Sequence, residues 1–301
     1  MKNILVVGSV NVDLSICTPH WPAPGETVAG GGFARSFGGK GANQAMAVAK
    51  LGGNVRFYGH VGDDADGRGA VENLQRNGVA FVGRTVPGVT TGVAMITVCN
   101  GENSIILSSG ANNTVTPEAL DAHKALFEWA DYVLVQLEIP IDAVARALTL
   151  AHACGAVVLL NPAPCRPLPP EIWPQVDFLI PNEQEAAALA GMATDTQAGC
   201  MAAAARLRAQ GAGCVILTLG QKGCMTMEQD TPVFYPARPV HAVDTTAAGD
   251  SFIGALCVAL SRGKDLPAAV DCATAVAAIT VSRPGSGASI PCARELGGLF
   301  D

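Results

Sequence analysis

This 301-residue chain has no strongly basic stretch, little charge of either sign, and no apolar run long and unbroken enough to cross a bilayer. Each shortage removes a class of function. Charged residues make up only 15% and the net charge is −7. Affinity for nucleic acid rests on Lys and Arg neutralising phosphates, so no nucleic-acid partner is expected. A spanning helix needs about 20 apolar residues in succession, so no membrane role is expected either. The N-terminal run Ile4-Leu5-Val6-Val7 is too short for a signal peptide and reads as a first strand. The ten cysteines contain no C-x-x-C pair, and the five histidines show no H-x-x-x-H spacing. Neither a redox motif nor a histidine metal site is supported, and the cysteines read as small buried hydrophobes in a reducing cytoplasm.

Two nucleotide-binding fingerprints are also missing. After the first strand, Gly8-Ser9-Val10 lacks the second glycine of G-x-G-x-x-G, which argues against a dinucleotide-dependent oxidoreductase. Around Gly39-Lys40-Gly41 the phosphate-loop pattern fails twice. Ala34 stands at its first glycine, and Gly41 follows Lys40 where Ser or Thr is required.

What is present is a large core, with 49% hydrophobic residues. Short β-branched runs at Ile4–Val7, Val55–Val61, Tyr132–Gln136, Val157–Asn161, Phe178–Pro181 and Val215–Thr218 read as strands. Helical patterns cover Ala42–Leu51, Asp66–Asn77, Pro117–Phe127, Ile141–Cys154, Glu183–Ala190 and Met201–Gln210. Apolar strands separated by helices imply an α/β fold with a mostly parallel sheet covered on both faces. In such a sheet the functional residues lie beyond the carboxyl ends of the strands. Asp13–Phe37 and Thr90–Ser109 break the rhythm, and Asn100-Gly101 between apolar runs signals a hairpin. Both segments read as one small antiparallel sheet inserted into the body, a candidate lid over about 13–37 and 90–109. No linker or repeat divides the chain, so residues 1–301 are expected to form one catalytic domain.

The most informative segment is Asp244-Thr245-Thr246-Ala247-Ala248-Gly249-Asp250, which runs directly into an apolar helical pattern at Phe252 and Ile253. A loop of small residues at a helix N-terminus presents backbone N–H groups to an anion, phosphate above all. Asp250 then reads as a base beside a phosphate. A Gly-Asp pair entering a helix is also a common N-cap, and these residues alone leave both readings open. Gly38-Gly39-Lys40-Gly41-Ala42-Asn43-Gln44 reads either as a close approach to a polyhydroxy ligand, with Lys40 and Asn43 as donors, or as a bare tight turn. Asn11 and Asp13 suit a sugar diol or an Asx turn. Asn182 and Glu185 open a helix, and suit either a cap or the organisation of Mg²⁺ waters and phosphates.

These segments together resemble the ribokinases of the phosphofructokinase-B-type sugar kinase family. Both signatures are present, Gly38–Ala45 and Asp244–Asp250. Between and around them Asn11-Val12-Asp13, Pro22–Thr27, Gln136-Leu137-Glu138, Asn161-Pro162-Ala163-Pro164, Pro181-Asn182-Glu183 and Thr218-Leu219-Gly220 follow in the same order. The resemblance implies a three-layer α/β/α body and an ATP-dependent kinase for the primary hydroxyl of a pentose, D-ribose first, with 2-deoxyribose or another pentose or ketose as the alternative. It implies Asp250 as catalytic base and Ala247, Ala248 and Gly249 as an anion hole. Asn11, Asp13, Gly39, Lys40, Gly41, Ala42, Asn43 and Glu138 match sugar-binding positions. Asn182, Glu185, Thr218, Leu219, Gly220, Gln221, Lys222, Gly223, Gly249 and Thr274 match nucleotide positions. Asp244, Thr246, Thr280, Arg283, Gly285 and Ser289 match a site for an activating K⁺, largely through backbone carbonyls. The resemblance further implies Mg²⁺, and a homodimer formed through the lid. Thr274 stands where a flat side chain is frequent near the adenine, and Thr246 where an apolar residue is frequent.

Overall fold

The structure, a computed structural model, describes residues 2–300. Strand β1 (Asn3–Val7) is followed by β2 (Asn11–Cys17), β3 (Gly31–Gly38) and helix α1 (Lys40–Lys50). Next come β4 (Asn54–Tyr58), β5 (His60–Gly62), α2 (Ala65–Arg76) and the short strands β6 (Ala80–Phe81) and β7 (Arg84–Val86). The hairpin of β8 (Gly92–Cys99) and β9 (Glu102–Ser108) leads through α3 (Pro117–Asp121) and α4 (Lys124–Trp129) to β10 (Tyr132–Gln136). Then follow α5 (Ile141–Ala153), β11 (Val157–Asn161), β12 (Phe178–Leu179), α6 (Glu183–Ala190) and α7 (Gln197–Ala209). After β13 (Cys214–Thr218), β14 (Cys224–Glu228) and β15 (Thr231–Tyr235) the chain ends in two long helices, α8 (Ala248–Ser261) and α9 (Leu266–Val281).

Among the described residues the main sheet has nine strands in the order β15-β14-β13-β12-β11-β10-β1-β4-β6. Every pairing from β6 to β13 is parallel, and β14 and β15 add an antiparallel edge. Side-chain alternation along β1 explains the two cores. Leu5 and Val7 join the cluster formed with α5, α6 and α7, whereas Ile4 and Val6 join the one formed with α1, α2, α8 and α9. All four are fully buried, and each such side chain contributes about 1.5–3 kcal/mol by leaving water. The expected α/β/α layering follows from this. β1 lies between β10 and β4, where the strand order reverses, and the loops beyond its carboxyl end open onto a crevice.

The second sheet runs β3-β2-β8-β9. Its outer pairings are antiparallel, while β2 and β8 pair in parallel, with Asp13 beside Ala94 and Leu14 beside Met95. Local hairpin signals identify the outer pairs. The parallel pair joins residues 81 apart in sequence, as Asp13 and Ala94 are, and carries no such signal. Two of the predicted elements are divided. The strand expected over Val55–Val61 breaks at Gly59, where a Cβ would collide with the Gly8 carbonyl. The helix expected over Pro117–Phe127 breaks at Ala122–His123, where the His123 ring takes the Ala119 carbonyl through Nδ1 at 2.7 Å.

Candidate active site

The turn after β1 and the start of α1 form one wall. Gly39 has φ +93°, which ends β3 and lets α1 begin at Lys40. A Cβ on Gly41 would lie 2.6 Å from the Ser9 nitrogen, so α1 sits directly on the β1–β2 turn. Gly41 and Ala42 spend their backbone N–H groups on Ser9, at 3.3 Å to Oγ and 2.9 Å to its carbonyl. These two predicted sugar contacts therefore set the shape of the wall and do not point donors into it. One oxygen of Glu138, Oε2, accepts from Ser9 Oγ at 2.5 Å, from the Lys40 backbone N–H at 3.0 Å and from Asn11 Nδ2 at 3.5 Å. The carboxylate thereby satisfies the first turn of α1 and its dipole, a place where negative charge is favourable.

Asn112, which no spacing rule in the sequence ties to Asn11, holds that residue in place. It accepts from the Val10 N–H at 2.9 Å and donates through Nδ2 to Asn11 Oδ1 at 2.8 Å. With Oδ1 occupied, the Asn11 amide directs its NH₂ towards Glu138. Asp13 projects from β2 beside Gly38, where any Cβ would collide with the Asp13 carboxylate. Burial, then the charges of Glu138 and Asp250, push its carboxyl up to about 7.

Asp250 occupies the third position of α8, while the N-cap position belongs to Ala247, in the left-handed region at φ +60°. The helix-cap reading of Asp250 is thereby replaced. Its carboxylate is buried, and accepts from Asn43 Nδ2 and Gln44 Nε2, each at 3.1 Å. Burial raises its proton affinity above the ordinary carboxylate range; the Lys40 charge and the two amides pull it back in part. For Lys40, burial opposes the ammonium, but the charges of Asp250, Glu138 and Glu185 outweigh it and hold the group above its usual value. Lys40 is thus a fixed cation among carboxylates. The first-turn N–H groups of Gly249 and Asp250 have no intrahelical partner, and the side-chain position of Gly249 faces open space.

A cavity of about 1260 Å³ extends from Asp250 and Lys40 past Asn182, Glu185, Thr218, Gly220, Gln221, Gly223 and Thr274. That is ample for a nucleotide, since small-ligand sites run to about 1,000 Å³. Asn182 and Glu185 form a reciprocal cap, with Asn182 Oδ1 accepting from the Glu185 N–H and Glu185 Oε2 from the Asn182 N–H, both at 2.8 Å. The cap and the cavity-facing role coexist here. Leu219 and Lys222 face away, lining a separate smaller cavity, and Lys222 pairs with Glu183 at 3.1 Å. The three-residue 3-10 turn Gly220–Lys222 alternates sides faster than the sequence motif suggests. Ala277, Ala278 and Val281 of α9 supply an apolar wall that went unrecognised because α9 is apolar on nearly every side. The Thr274 hydroxyl donates to the Val270 carbonyl at 2.9 Å within the same helix.

Three of the predicted cation positions, Asp244, Thr246 and Gly285, meet ahead of α8. Asp244 accepts from the N–H groups of Thr246 and Gly285, each at 2.9 Å. Burial works against its charge, but the bonds from Thr246 and Gly285 hold the carboxyl below its ordinary range. The hydroxyls of Thr280 and Ser289 donate to the Val276 and Ser286 carbonyls. Arg283 turns to Glu295 at 2.6 Å and brings no side-chain donor or acceptor to the loop. Among the described residues no group of three or more His, Cys, Asp and Glu side chains could hold a metal ion.

Comparison with known proteins places the chain among carbohydrate kinases. A family model described as pfkB family carbohydrate kinase matches residues 1–293. The ribokinase of Schizosaccharomyces pombe is 41% identical over 100% of this chain and 98% of its own length. The deoxyribokinase of Salmonella typhi is 39% identical over 96% of this chain and 95% of its own. The structure of Arabidopsis thaliana ribokinase complexed with ribose and ATP is similar with a TM-score of 0.93 at 33% identity, covering 100% of this chain and 99% of that one.

Proposed function

The chain belongs to the pfkB family of carbohydrate kinases, and from that membership we propose that it transfers the γ-phosphoryl group of ATP to the primary hydroxyl of D-ribose, giving D-ribose 5-phosphate. One observation carries the reading. The buried Asp250 carboxylate sits at an open helix N-terminus, on the wall of a nucleotide-sized cavity and within the field of the Asp13 and Glu138 carboxylates. Ribose lies with hydroxyls on Asp13 and Asn11, beneath the sheet of β2, β3, β8 and β9 acting as a lid on a single catalytic unit. Asp250 accepts the proton of the attacking hydroxyl, and its raised proton affinity suits that task. The N–H groups of Ala247 and Gly249 face the charge that develops on the transferring phosphoryl oxygens, that of Ala248 being turned to the Thr245 carbonyl at 3.2 Å, and Lys40 adds a fixed positive charge.

Mg²⁺, carried by the nucleotide and approached by Asn182 and Glu185, supplies charge neutralisation on the phosphates when bound. K⁺ ligated by carbonyls around Asp244, Thr246, Thr280, Arg283, Gly285 and Ser289 orders the anion-hole loop when bound. The lid exposes Phe33 (67%), Met95 (53%), Ile105 (51%) and Ile106 (73%), an apolar surface suited to the lid of a second copy. All ten cysteines are unpaired, in keeping with a cytoplasmic setting.

2-Deoxyribose is the second reading, favoured by the deoxyribokinase relative at 39% identity. A site built for two hydroxyls leaves an acceptor unpaired when one hydroxyl is missing, which favours ribose. An ADP-release screen over ribose, 2-deoxyribose, fructose, tagatose and ribonucleosides tests the assignment. Ribose is expected to give the highest kcat/KM. A ribonucleoside or hexose in that place would overturn the assignment.

A further inference from the structure

Behind Asp250 lies a chain of three amides whose directions are fixed from one end. The Ile180 carbonyl can only accept, so Asn161 must present Nδ2 to it, at 3.0 Å. Asn161 Oδ1 then faces Gln44 and accepts from Gln44 Nε2 at 3.3 Å. The same Nε2 donates its other proton to Asp250 Oδ1 at 3.1 Å. Gln44 Oε1 is left to accept from Gln136 Nε2, at 2.6 Å. Gln44 and Gln136 are both fully buried, and Gln136 Oε1 has no hydrogen-bond partner. Turning the Gln136 amide over would set two oxygens against each other, so an acceptor stays orphaned to keep the direction. Such a network is costly where apolar side chains would fill the space.

We propose that Gln44 is a positioning residue, aimed by Asn161 and Gln136, that holds the Asp250 carboxylate ionised and correctly oriented for the sugar hydroxyl. The inference rests on Asp250 acting as the base. Gln44 lies on α1, Gln136 at the end of β10 and Asn161 at the end of β11, so the device ties the base to the central sheet. Asn43 from α1 takes the other carboxylate oxygen. The charged groups facing Asp250 are Lys40, Glu138, Asp13 and Glu185. None of them changes in the variants below.

The test compares Gln44→Met, Gln136→Met and Asp250→Asn with the wild type, following kcat and kcat/KM for ribose from about pH 5 to pH 9. Loss of a hydrogen bond to a carboxylate raises its proton affinity about tenfold, which is one pH unit. Gln44→Met should therefore move the acid limb of kcat up by about one unit, lose about tenfold in kcat along that limb, and recover as the pH rises. KM for ATP should stay within about twofold. Gln136→Met, which does not touch Asp250, should move the limb in the same direction by less. If Gln44→Met does not fold, Gln136→Met decides. Acid limbs matching wild type, a loss equal at every pH, or collapse of both folds would assign Gln44 a merely structural role and overturn the proposal. Asp250→Asn should lose about 10²- to 10⁴-fold at every pH, and turnover near that of the wild type refutes the base assignment separately, with the inference built on it.

Discussion

Asp13 should give sugar binding a pH dependence of its own. Its carboxyl is pushed up to about 7, by burial first and then by the charges of Glu138 and Asp250. The raised value sets the sign: the carboxylate is present above about pH 7 and is lost as the pH falls. A carboxylate accepts from two adjacent hydroxyls, whereas the protonated group keeps fewer acceptor sites. A group titrating near 7 is about 90% ionised at pH 8 and about 10% ionised at pH 6. KM for ribose should accordingly rise about tenfold from pH 8 to pH 6, measured by steady-state ADP release at saturating ATP. Titration of Asp250 in the ternary complex shows in kcat, so the two carboxylates separate. Asp13→Asn should give a weakened KM that no longer changes with pH, while the acid limb of kcat remains. A wild-type KM that stays flat over this range, or an Asp13→Asn KM that still climbs tenfold, refutes the reasoning.

Gly41→Ala forces a Cβ to within 2.6 Å of the Ser9 nitrogen and should cost about 1–3 kcal/mol by overpacking. The check is a lower urea midpoint at unchanged slope, and a midpoint matching wild type counts against the close packing of α1 on the turn. Turnover should rise when K⁺ replaces Na⁺, and the gain should vanish in Asp244→Ala. Equal rates in Na⁺, K⁺ and Tris-only buffers would remove the cation site. Ile106→Asp on the lid should convert a sedimenting dimer to monomer, whereas a wild-type monomer at micromolar concentration would speak against lid pairing.

Much of this site was legible because its parts are local. A run of small residues before an apolar helix marks an open helix N-terminus, and Asp250 follows Ala247 within three residues. The two signature loops likewise carry their own geometry, as Gly39 with its positive φ does at the start of α1. What stayed hidden depends on distance or on uniform composition. Gln44 meets Asn161 across 117 residues and Asp250 across 206, and no spacing rule links amides so far apart. Asn112 holds Asn11 from 101 residues away. Helix α9 has too little polar surface to mark its ends by periodicity, so its wall of the cavity escaped notice. The orientation of Leu219 and Lys222 is decided inside one tight turn, where neighbouring residues face different cavities.

The central claim is that Asp250 is the base of a ribose-dependent phosphoryl transfer. Asp250→Asn preserves the side-chain volume and can keep contacts with Asn43 and Gln44, so the protein should fold and bind both ribose and ATP. The most direct measurement is the ribose-dependent rate of ADP release by this variant at saturating substrates. The rate should fall about 10²- to 10⁴-fold, the range for removing a general base. A rate near that of the wild type would contradict the base assignment.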